Sequence, residues 1–243
     1  MSLPKILLAA PTSNVKDYCF DAWADAVQNL DYPRYSVLLV DNSHDPTYYH
    51  KILDRGIQCI HVEPQGNVVD YITECQNLIR YIAITGGYDY LFSLESDVFP
   101  SRDIIIQLLR HDKPIVTAPY YVQYKGGDPS ICWTDALTQH FGKYSYLHSQ
   151  MVGTQETLHR LTGELVKVFG CGIGCTMIHT EVLKAIEFRA DIRDNESRSD
   201  RSVFSDSLFY VDCMRQNIPV YLDTSLLVEH RYGGWDANID LYK

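Results

Sequence analysis

The sequence predicts an α/β fold in which helices flank a mostly parallel central sheet, in a single domain over residues 1–243. In the first half of the chain, short apolar runs alternate with helical stretches of roughly 10–20 residues, a pattern typical of βαβ units. Three apolar runs end in polar residues, as strands do where an open α/β sheet binds a ligand. No internal repeat and no low-complexity linker divides the chain.

Each expected element has a local reason. The strands are apolar runs bounded by turn-forming residues. The longest helix carries apolar residues at steps of three and four from Val68 to Ile82, and Gly86-Gly87 ends it. The elements expected in the first half are strand 6–10, helix 17–30, strand 36–40, helix 48–53, strand 57–62, helix 68–85 and strand 91–94.

The second half is less regular, and residues 125–165 are not assigned to any element. Its expected elements are a strand-rich stretch 114–124, strands 166–169 and 176–178, a helix from about residue 181, helix 205–217, and strands 220–222 and 226–228.

Composition narrows the class of protein. Hydrophobic residues make up 46% of the chain, which is enough for a substantial core. The net charge of −10 argues against the broad cationic surface of a nucleic-acid-binding protein. No run approaches the ~20 apolar residues of a membrane span, and the opening run Lys5–Ala10 is too short for a signal peptide. We therefore expect a cytoplasmic protein without a membrane span.

The seven cysteines agree with a reducing compartment, because their count is odd. Cys171 and Cys175 are the one close pair. Their spacing matches no common zinc pattern, and no second pair lies nearby to complete four ligands. We expect structural thiols, and the sequence defines no further role for this pair.

The strongest chemical signal is Glu95-Ser96-Asp97, which follows the apolar run Leu91–Leu94. A carboxylate beside a buried strand is costly unless it is paired or binds a metal. Two acids at such a strand end are suited to a divalent cation and, through it, a polyphosphate; oxygen ligands favour Mg²⁺ or Mn²⁺. The alternative is a turn in which Ser96 or Asp97 caps a helix that starts near Ser101.

Two other expected strands also end in polar residues, at Pro11-Thr12 and at Asp41-Asn42. One polar strand end is ordinary turn chemistry. Because ligands of open α/β sheets bind outside the carboxyl ends of the strands, three such ends in sequence indicate a nucleotide crevice.

In the order and spacing of these motifs, the chain resembles the GT-A glycosyltransferases, especially their family 2-like group, from Lys5 to about His230. The resemblance implies a GT-A-like, Rossmann-related fold. It implies a nucleotide-binding half over residues 1–100 and an acceptor-binding and catalytic half over residues 101–243. The donor-binding positions that the resemblance implies are Pro11, Thr12, Asp41, Gly66, Asn77, Glu95, Ser96 and Arg231.

The family's metal motif resembles Glu95-Ser96-Asp97, with glutamate in place of the first aspartate, and its closing histidine resembles His230. The resemblance thus implies that Asp97, His230 and Glu95 hold Mn²⁺ or Mg²⁺. Where the family has an acidic pair, this chain has Ser205-Asp206, so Asp206 alone would be the catalytic base. Where the family often has an arginine, this chain has Gln76.

The activity implied is metal-dependent transfer of a sugar, with inversion, from a UDP- or GDP-linked donor to an acceptor hydroxyl. The acceptor stays unidentified. A glycine pair, Gly233-Gly234, follows His230 and predicts a hinged flap over the donor.

Several alternatives stay open. Asp206 also suits a helix cap. The run Gly170–Gly174 does not match the dinucleotide-binding pattern, because its spacing differs and a strand follows it. Two other functions fit the fold: a sugar nucleotidylyltransferase, against which the glycine-free loop Pro11–Asn14 counts, and a non-catalytic nucleotide- or carbohydrate-binding module.

Overall fold

The structure, a computed structural model, describes residues 2–122, 130–131, 133–134, 144–145, 163, 165–191, 196–197 and 205–231. A short 3-10 turn at Asn14–Lys16 precedes the first helix. The helices are α1 (Asp17–Gln28), α2 (Thr47–Asp54), α3 (Val68–Thr85), α4 (Ile104–Leu109), α5 (Thr180–Ala185) and α6 (Ser205–Arg215).

The described strands comprise eight that are two residues long and the eight longer strands of the main sheet. They are β1 (Ile6–Thr12), β2 (Tyr35–Asp41), β3 (Gln58–His61), β4 (Tyr90–Leu94), β5 (Val98–Phe99), β6 (Ile115–Thr117), β7 (Tyr121–Val122), β8 (Ser130–Ile131), β9 (Trp133–Thr134), β10 (Tyr144–Ser145), β11 (Leu165–Val168), β12 (Gly170–Cys171), β13 (Cys175–His179), β14 (Glu196–Ser197), β15 (Val220–Asp223) and β16 (Glu229–His230).

The main sheet has eight strands in the order β11-β15-β6-β13-β4-β1-β2-β3. Strands β3, β2, β1 and β4 pair in parallel, as β15 and β6 do. Strand β13 runs antiparallel between β4 and β6, and β11 pairs antiparallel with β15. This mostly parallel sheet with flanking helices confirms the predicted fold class.

The core lies on both faces of the sheet, and β1 shows why. Its residues alternate between the faces: Ile6 and Leu8 pack with Phe20 and Trp23, whereas Leu7 packs on the opposite face. A central parallel strand is buried on both sides, which explains its continuous apolar sequence. Helix α3 begins at a capping box in which the Asn67 side chain accepts hydrogen bonds from the backbone N–H groups of Val69 and Asp70.

One alternative interpretation and one local prediction are wrong. Ser96 and Asp97 do not cap a helix, because the chain turns at once into β5 and α4 begins only at Ile104. Residues 226–228 do not form a strand of the main sheet. Val228 makes a single bridge to Tyr120, and the chain then enters β16, which pairs antiparallel with β5.

Among the described helices, none is long and apolar enough to cross a membrane.

Candidate functional site

The structure brings the three polar strand ends together at one edge of the sheet. Thr12 ends β1 beside Asp41 of β2 in register, and the Asn42 backbone N–H donates to the Thr12 carbonyl at 2.9 Å. The hydroxyls of Thr12 and Ser96 form a buried hydrogen bond of 2.8 Å. Because β1 lies between β2 and β4, Thr12 links the two acidic strand ends into one region.

The turn after β4 and the short β5–β16 ribbon place two carboxylates beside a histidine. Val98 N–H donates to the Glu95 carbonyl at 3.0 Å, which closes the turn that carries Asp97. In the ribbon, His230 lies opposite Val98. Ligand atoms of Glu95, Asp97 and His230 consequently lie within 4.8 Å of one another. The residues expected to bind a metal are therefore close enough together to share one ion.

The carboxylate of Asp97 is fully enclosed, at 0% exposure, yet only one of its oxygens is paired. Oδ2 contacts the Lys16 ammonium and lies 3.2 Å from Nε2 of His230. Oδ1 has no hydrogen-bond partner among the described residues. Burial works to raise the pKa of Asp97, but His230 and Lys16 outweigh it, so the pKa lies below its ordinary value.

These observations match what a divalent cation requires. An ionised carboxylate with a buried, unpaired oxygen is unfavourable unless a cation completes its environment. Carboxylate oxygens and a neutral imidazole are the ligand types that Mn²⁺ accepts, and Mg²⁺ favours oxygen. The donor set of Glu95, Asp97 and His230 therefore fits such an ion.

Sequence reasoning missed Lys16 as a site residue. It lies in the 3-10 turn between β1 and α1, and its side chain is only 13% exposed. The available signal was positional: the loop after β1 must pass the end of β4, because the two strands are neighbours in the sheet. A lysine in that loop can therefore reach Asp97.

The glycine run after β12 lets the backbone pass close to the site. A Cβ atom at Gly172 would lie 2.2 Å from the Tyr120 hydroxyl oxygen, and one at Gly174 would lie 3.1 Å from Cδ of Glu95. Gly174 N–H donates to that hydroxyl at 3.0 Å, and the Tyr120 ring meets the His230 ring edge-on at 5.4 Å. These glycines thus have a packing role next to the metal-binding candidates.

Glu95 and Asp206 are two further acids in this region, and both are half-buried. Burial raises the pKa of Glu95 against the opposing charge of Lys16, and the charges of Asp97 and Asp206 raise it further. Burial also raises the pKa of Asp206, although its Oδ1 accepts the Ser207 backbone N–H at 2.7 Å. A carboxylate with a raised pKa is a better proton acceptor once it is ionised.

Helix α6 presents Asp206 in its first turn, and a buried hydrogen bond fixes that turn to α3. The Ser205 hydroxyl donates to Oε1 of Gln76 at 2.5 Å. The Gln76 side chain thus holds the start of the helix that carries Asp206.

Asp41 is enclosed differently from Asp97, because both of its oxygens have partners. Oδ1 accepts from the Ser43 backbone N–H at 3.1 Å and from its hydroxyl at 2.5 Å, and Oδ2 lies 2.9 Å from Nδ1 of His61. The carboxylate is 0% exposed, whereas the His61 side chain is 23% exposed. His61, which sequence reasoning also missed, is the more accessible member of this pair.

The remaining expected donor-binding residues differ in position. Pro11 lies half-buried in β1, next to Thr12, and Gly66 has a positive φ of 77° in the turn before α3. The Asn77 side chain binds the backbone of Phe188 through both polar atoms, at 2.7 and 3.0 Å, so it fastens the segment after α5. Both polar atoms of the Asn77 amide are therefore engaged by another part of the chain.

Arg231 follows His230 and lies beside the ribbon. Its backbone N–H donates to the Asp97 carbonyl at 3.0 Å. Its guanidinium lies over the Phe99 ring at 3.6 Å, and Nε donates to Glu229 at 2.8 Å. The glycine pair 233–234, expected to form a hinge, lies outside the described residues.

No protein-family model matches the chain, and no curated protein matches it in sequence. Solved structures do match it in fold. A crystal structure of S. aureus TarS aligns with a TM-score of 0.54 at 15% identity. A second crystal structure, of TarS residues 1–349 in complex with UDP-GlcNAc, aligns with a TM-score of 0.54 at 14% identity. Each alignment covers 94% of this chain, and 37% and 59% of the respective TarS chains.

A crystal structure of GalNAc-T7 with UDP, GalNAc and Mn²⁺ aligns with a TM-score of 0.59 at 12% identity. The alignment covers 96% of this chain and 45% of GalNAc-T7, so the chain spans less than two thirds of either protein. These likenesses confirm the GT-A fold that the motifs predicted.

Proposed function

We propose that the protein is a metal-dependent glycosyltransferase that moves a sugar from a nucleoside-diphosphate donor to an acceptor hydroxyl. The observation that carries the proposal is the enclosed Asp97 carboxylate, whose unpaired oxygen lies in a cluster with Glu95 and His230. Solved proteins of the same fold contain UDP-GlcNAc, or UDP with GalNAc and Mn²⁺. These ligands support a UDP-linked donor most directly, and GDP is the second candidate.

Asp97, His230 and Glu95 would hold Mn²⁺ or Mg²⁺. When bound, such an ion acts as a Lewis acid that neutralises charge on a departing diphosphate. The protein's own part is to keep these side chains fixed. The β5–β16 ribbon and the Tyr120 ring orient His230, and the turn at residues 95–98 fixes Asp97.

The donor would lie along the strand ends. The nucleoside would be bound by Thr12 and its neighbour Pro11 at the end of β1 and by the Asp41–His61 pair. Gly66, in the turn before α3, would also line this part of the site. Ser96, which is hydrogen-bonded to Thr12, would join the nucleoside region to the metal region. Arg231 would contact the diphosphate after its guanidinium leaves the Phe99 ring.

Asp206 would be the general base of an inverting transfer. As the acceptor oxygen forms a bond to the anomeric carbon, the bond from that carbon to the diphosphate oxygen breaks, and the diphosphate leaves with the electron pair. The proton of the acceptor hydroxyl passes to the Asp206 carboxylate. The raised pKa of Asp206 and the nearby Glu95 carboxylate support this role.

The proposal is tested by incubating the protein with UDP- and GDP-sugars in Mn²⁺ and in EDTA. Release of UDP or GDP from one donor, dependent on the metal, is the expected result. Nuclear magnetic resonance of the product should show inversion at the anomeric carbon. Metal-linked nucleotide binding without turnover of any donor would instead indicate a binding module. Pyrophosphate release from a nucleoside triphosphate and a sugar 1-phosphate would indicate a nucleotidylyltransferase.

A further inference from the structure

Lys16 contacts the Asp97 carboxylate, for which the proposed metal ion would compete. Its ammonium contacts Oδ2 of Asp97, the oxygen that also lies near His230. The contact is almost fully enclosed, with Lys16 at 13% and Asp97 at 0% exposure. An enclosed aspartate that lacks a cation is costly. Lys16 therefore supplies the positive charge that Asp97 needs while no metal is present.

A bound divalent cation would change this balance. Like charges a few ångströms apart repel strongly inside a protein, where screening by water is weak. With the metal on Asp97, the ammonium of Lys16 loses its attraction to that carboxylate. The four-carbon stem of a lysine is flexible enough to move its charge while the backbone stays in place.

The 3-10 turn that carries Lys16 lies between Thr12 and helix α1, at the edge where the strand ends meet. A diphosphate that binds at this edge places negative charge next to the displaced ammonium. Lysine is a compact point charge that binds phosphate oxygens well.

We propose that Lys16 is an internal cation that balances Asp97 in the metal-free protein and transfers to the donor's diphosphate when the metal binds. This inference rests on the proposed function. Its consequence is an ordered site: Lys16 opposes binding of the metal alone and favours binding of the metal together with the nucleotide.

The test is Lys16→Met, which keeps the length of the side chain and removes its charge. Mn²⁺ affinity without nucleotide, measured by electron paramagnetic resonance, should rise about 5-fold or more, as for other coupled sites. UDP affinity in saturating Mn²⁺, measured by calorimetry, should fall about 10-fold or more, because a charge-assisted hydrogen bond is lost. Opposite changes from one substitution are the distinguishing result.

Lys51→Met is the matched control, because it removes the same charge from a nearby surface. Lys51 is 34% exposed and pairs with Asp17 and Asp21 at 2.7 and 2.9 Å. Both affinities should stay within about twofold of wild type, since exposed ion pairs contribute little. Equal changes of both affinities in Lys16→Met and Lys51→Met would show that the effect comes from net charge alone, and would overturn the inference.

A second measurement uses the wild-type protein and does not depend on the variant folding. The ammonium resonance of Lys16, followed by ¹H–¹⁵N nuclear magnetic resonance, should shift on addition of Mg²⁺ and shift again with UDP. An unchanged resonance in a protein that binds Mg²⁺ and UDP overturns the inference and leaves the proposed function intact. A wild-type protein that binds neither Mn²⁺ nor UDP overturns both.

Discussion

Two enclosed aspartates of this protein have partners of the same kind but differ in one respect. Asp223, at the end of β15, contacts Arg110 at 3.1 Å and His111 at 2.6 Å through Oδ2. Asp97 contacts Lys16 and His230 through Oδ2. Oδ1 of Asp223 accepts from the Ser225 backbone N–H and hydroxyl, at 2.9 and 2.5 Å. Oδ1 of Asp97 has no such partner within the described part of the chain.

The comparison separates a structural carboxylate from one that suits a ligand. A buried carboxylate whose two oxygens are both bonded stabilises the fold, and nothing further is needed to satisfy it. A buried carboxylate with one oxygen that accepts no hydrogen bond destabilises the folded protein. Partner identity alone, a histidine and a basic side chain, does not distinguish the two.

Asp206, which is half-buried, sharpens the comparison and carries the largest expected effect. Burial raises the pKa of Asp206, whereas hydrogen bonds and nearby cations leave the pKa values of Asp97 and Asp223 below normal. Asp206→Asn should lower transfer ~10²- to 10⁴-fold, because a positioned base is lost. It should still fold and bind donor and metal, since asparagine caps helices nearly as well as aspartate. Transfer within about threefold of wild type would show that Asp206 is only a cap.

Asp223→Asn should destabilise the fold more than Asp97→Asn does, whereas Asp97→Asn should impair metal-linked nucleotide binding more. Asp223→Asn should lower the free energy of unfolding by about 1–3 kcal/mol, because donors to both carboxylate oxygens lose their acceptor charge. Asp97→Asn should cost less in metal-free buffer, because its Oδ1 makes no hydrogen bond and the flexible Lys16 side chain can carry its ammonium to solvent. Urea denaturation of both variants measures the difference. A larger loss for Asp97→Asn would mean that the two sites are alike.

The contribution of Asp223 to stability should depend on pH in a defined direction. Burial works to raise its pKa, but the hydrogen bonds from Ser225 and the contact with His111 outweigh it and lower the pKa. A lowered pKa stabilises the fold above the unfolded-state pKa, and this stabilisation is lost as pH falls through the folded-state pKa. The stability gap between wild type and Asp223→Asn should therefore narrow below about pH 4. A gap that stays constant from neutral to acidic pH would contradict the assignment.

The smallest expected effect concerns the support of Asp206. Gln76→Leu removes the acceptor of the Ser205 hydroxyl and should destabilise the protein by about 0.5–1.5 kcal/mol. The turnover number should fall, whereas the donor's binding constant should not change. Gln76→Glu keeps an oxygen acceptor and should restore most of the turnover. Equal turnover in wild type and Gln76→Leu would show that this hydrogen bond does not position Asp206.

Much of the fold was predictable, because its signals are local. Apolar runs, their spacing and their polar ends fix the parallel half of the sheet and gather Thr12, Asp41 and Ser96. The proximity of Asp97 and His230 was expected from the family resemblance alone. It depends on pairing between two strands of two residues each, β5 and β16, which are too short to produce a periodic pattern.

The contacts that sequence reasoning missed are long-range hydrogen bonds and ion pairs made by polar side chains. Lys16 meets Asp97 across 81 positions, and Asn77 binds Phe188 across 111. No sequence pattern predicts either contact, because a single hydrogen bond imposes no periodicity on the sequence. A donor-binding role for Asn77 stays a prediction from the family resemblance, and its amide holds the segment after α5.

Calorimetric titration of UDP and GDP into wild type, Asp97→Asn and Asp223→Asn, each in Mn²⁺ and in EDTA, tests most directly whether Asp97 is a metal-linked nucleotide site. Wild type and Asp223→Asn should bind one nucleotide at least about 10-fold more tightly in Mn²⁺, a difference of ~1.4 kcal/mol. Asp97→Asn should bind it equally in both buffers. Wild-type affinity that Mn²⁺ does not change, or a full metal effect in Asp97→Asn, would contradict the account.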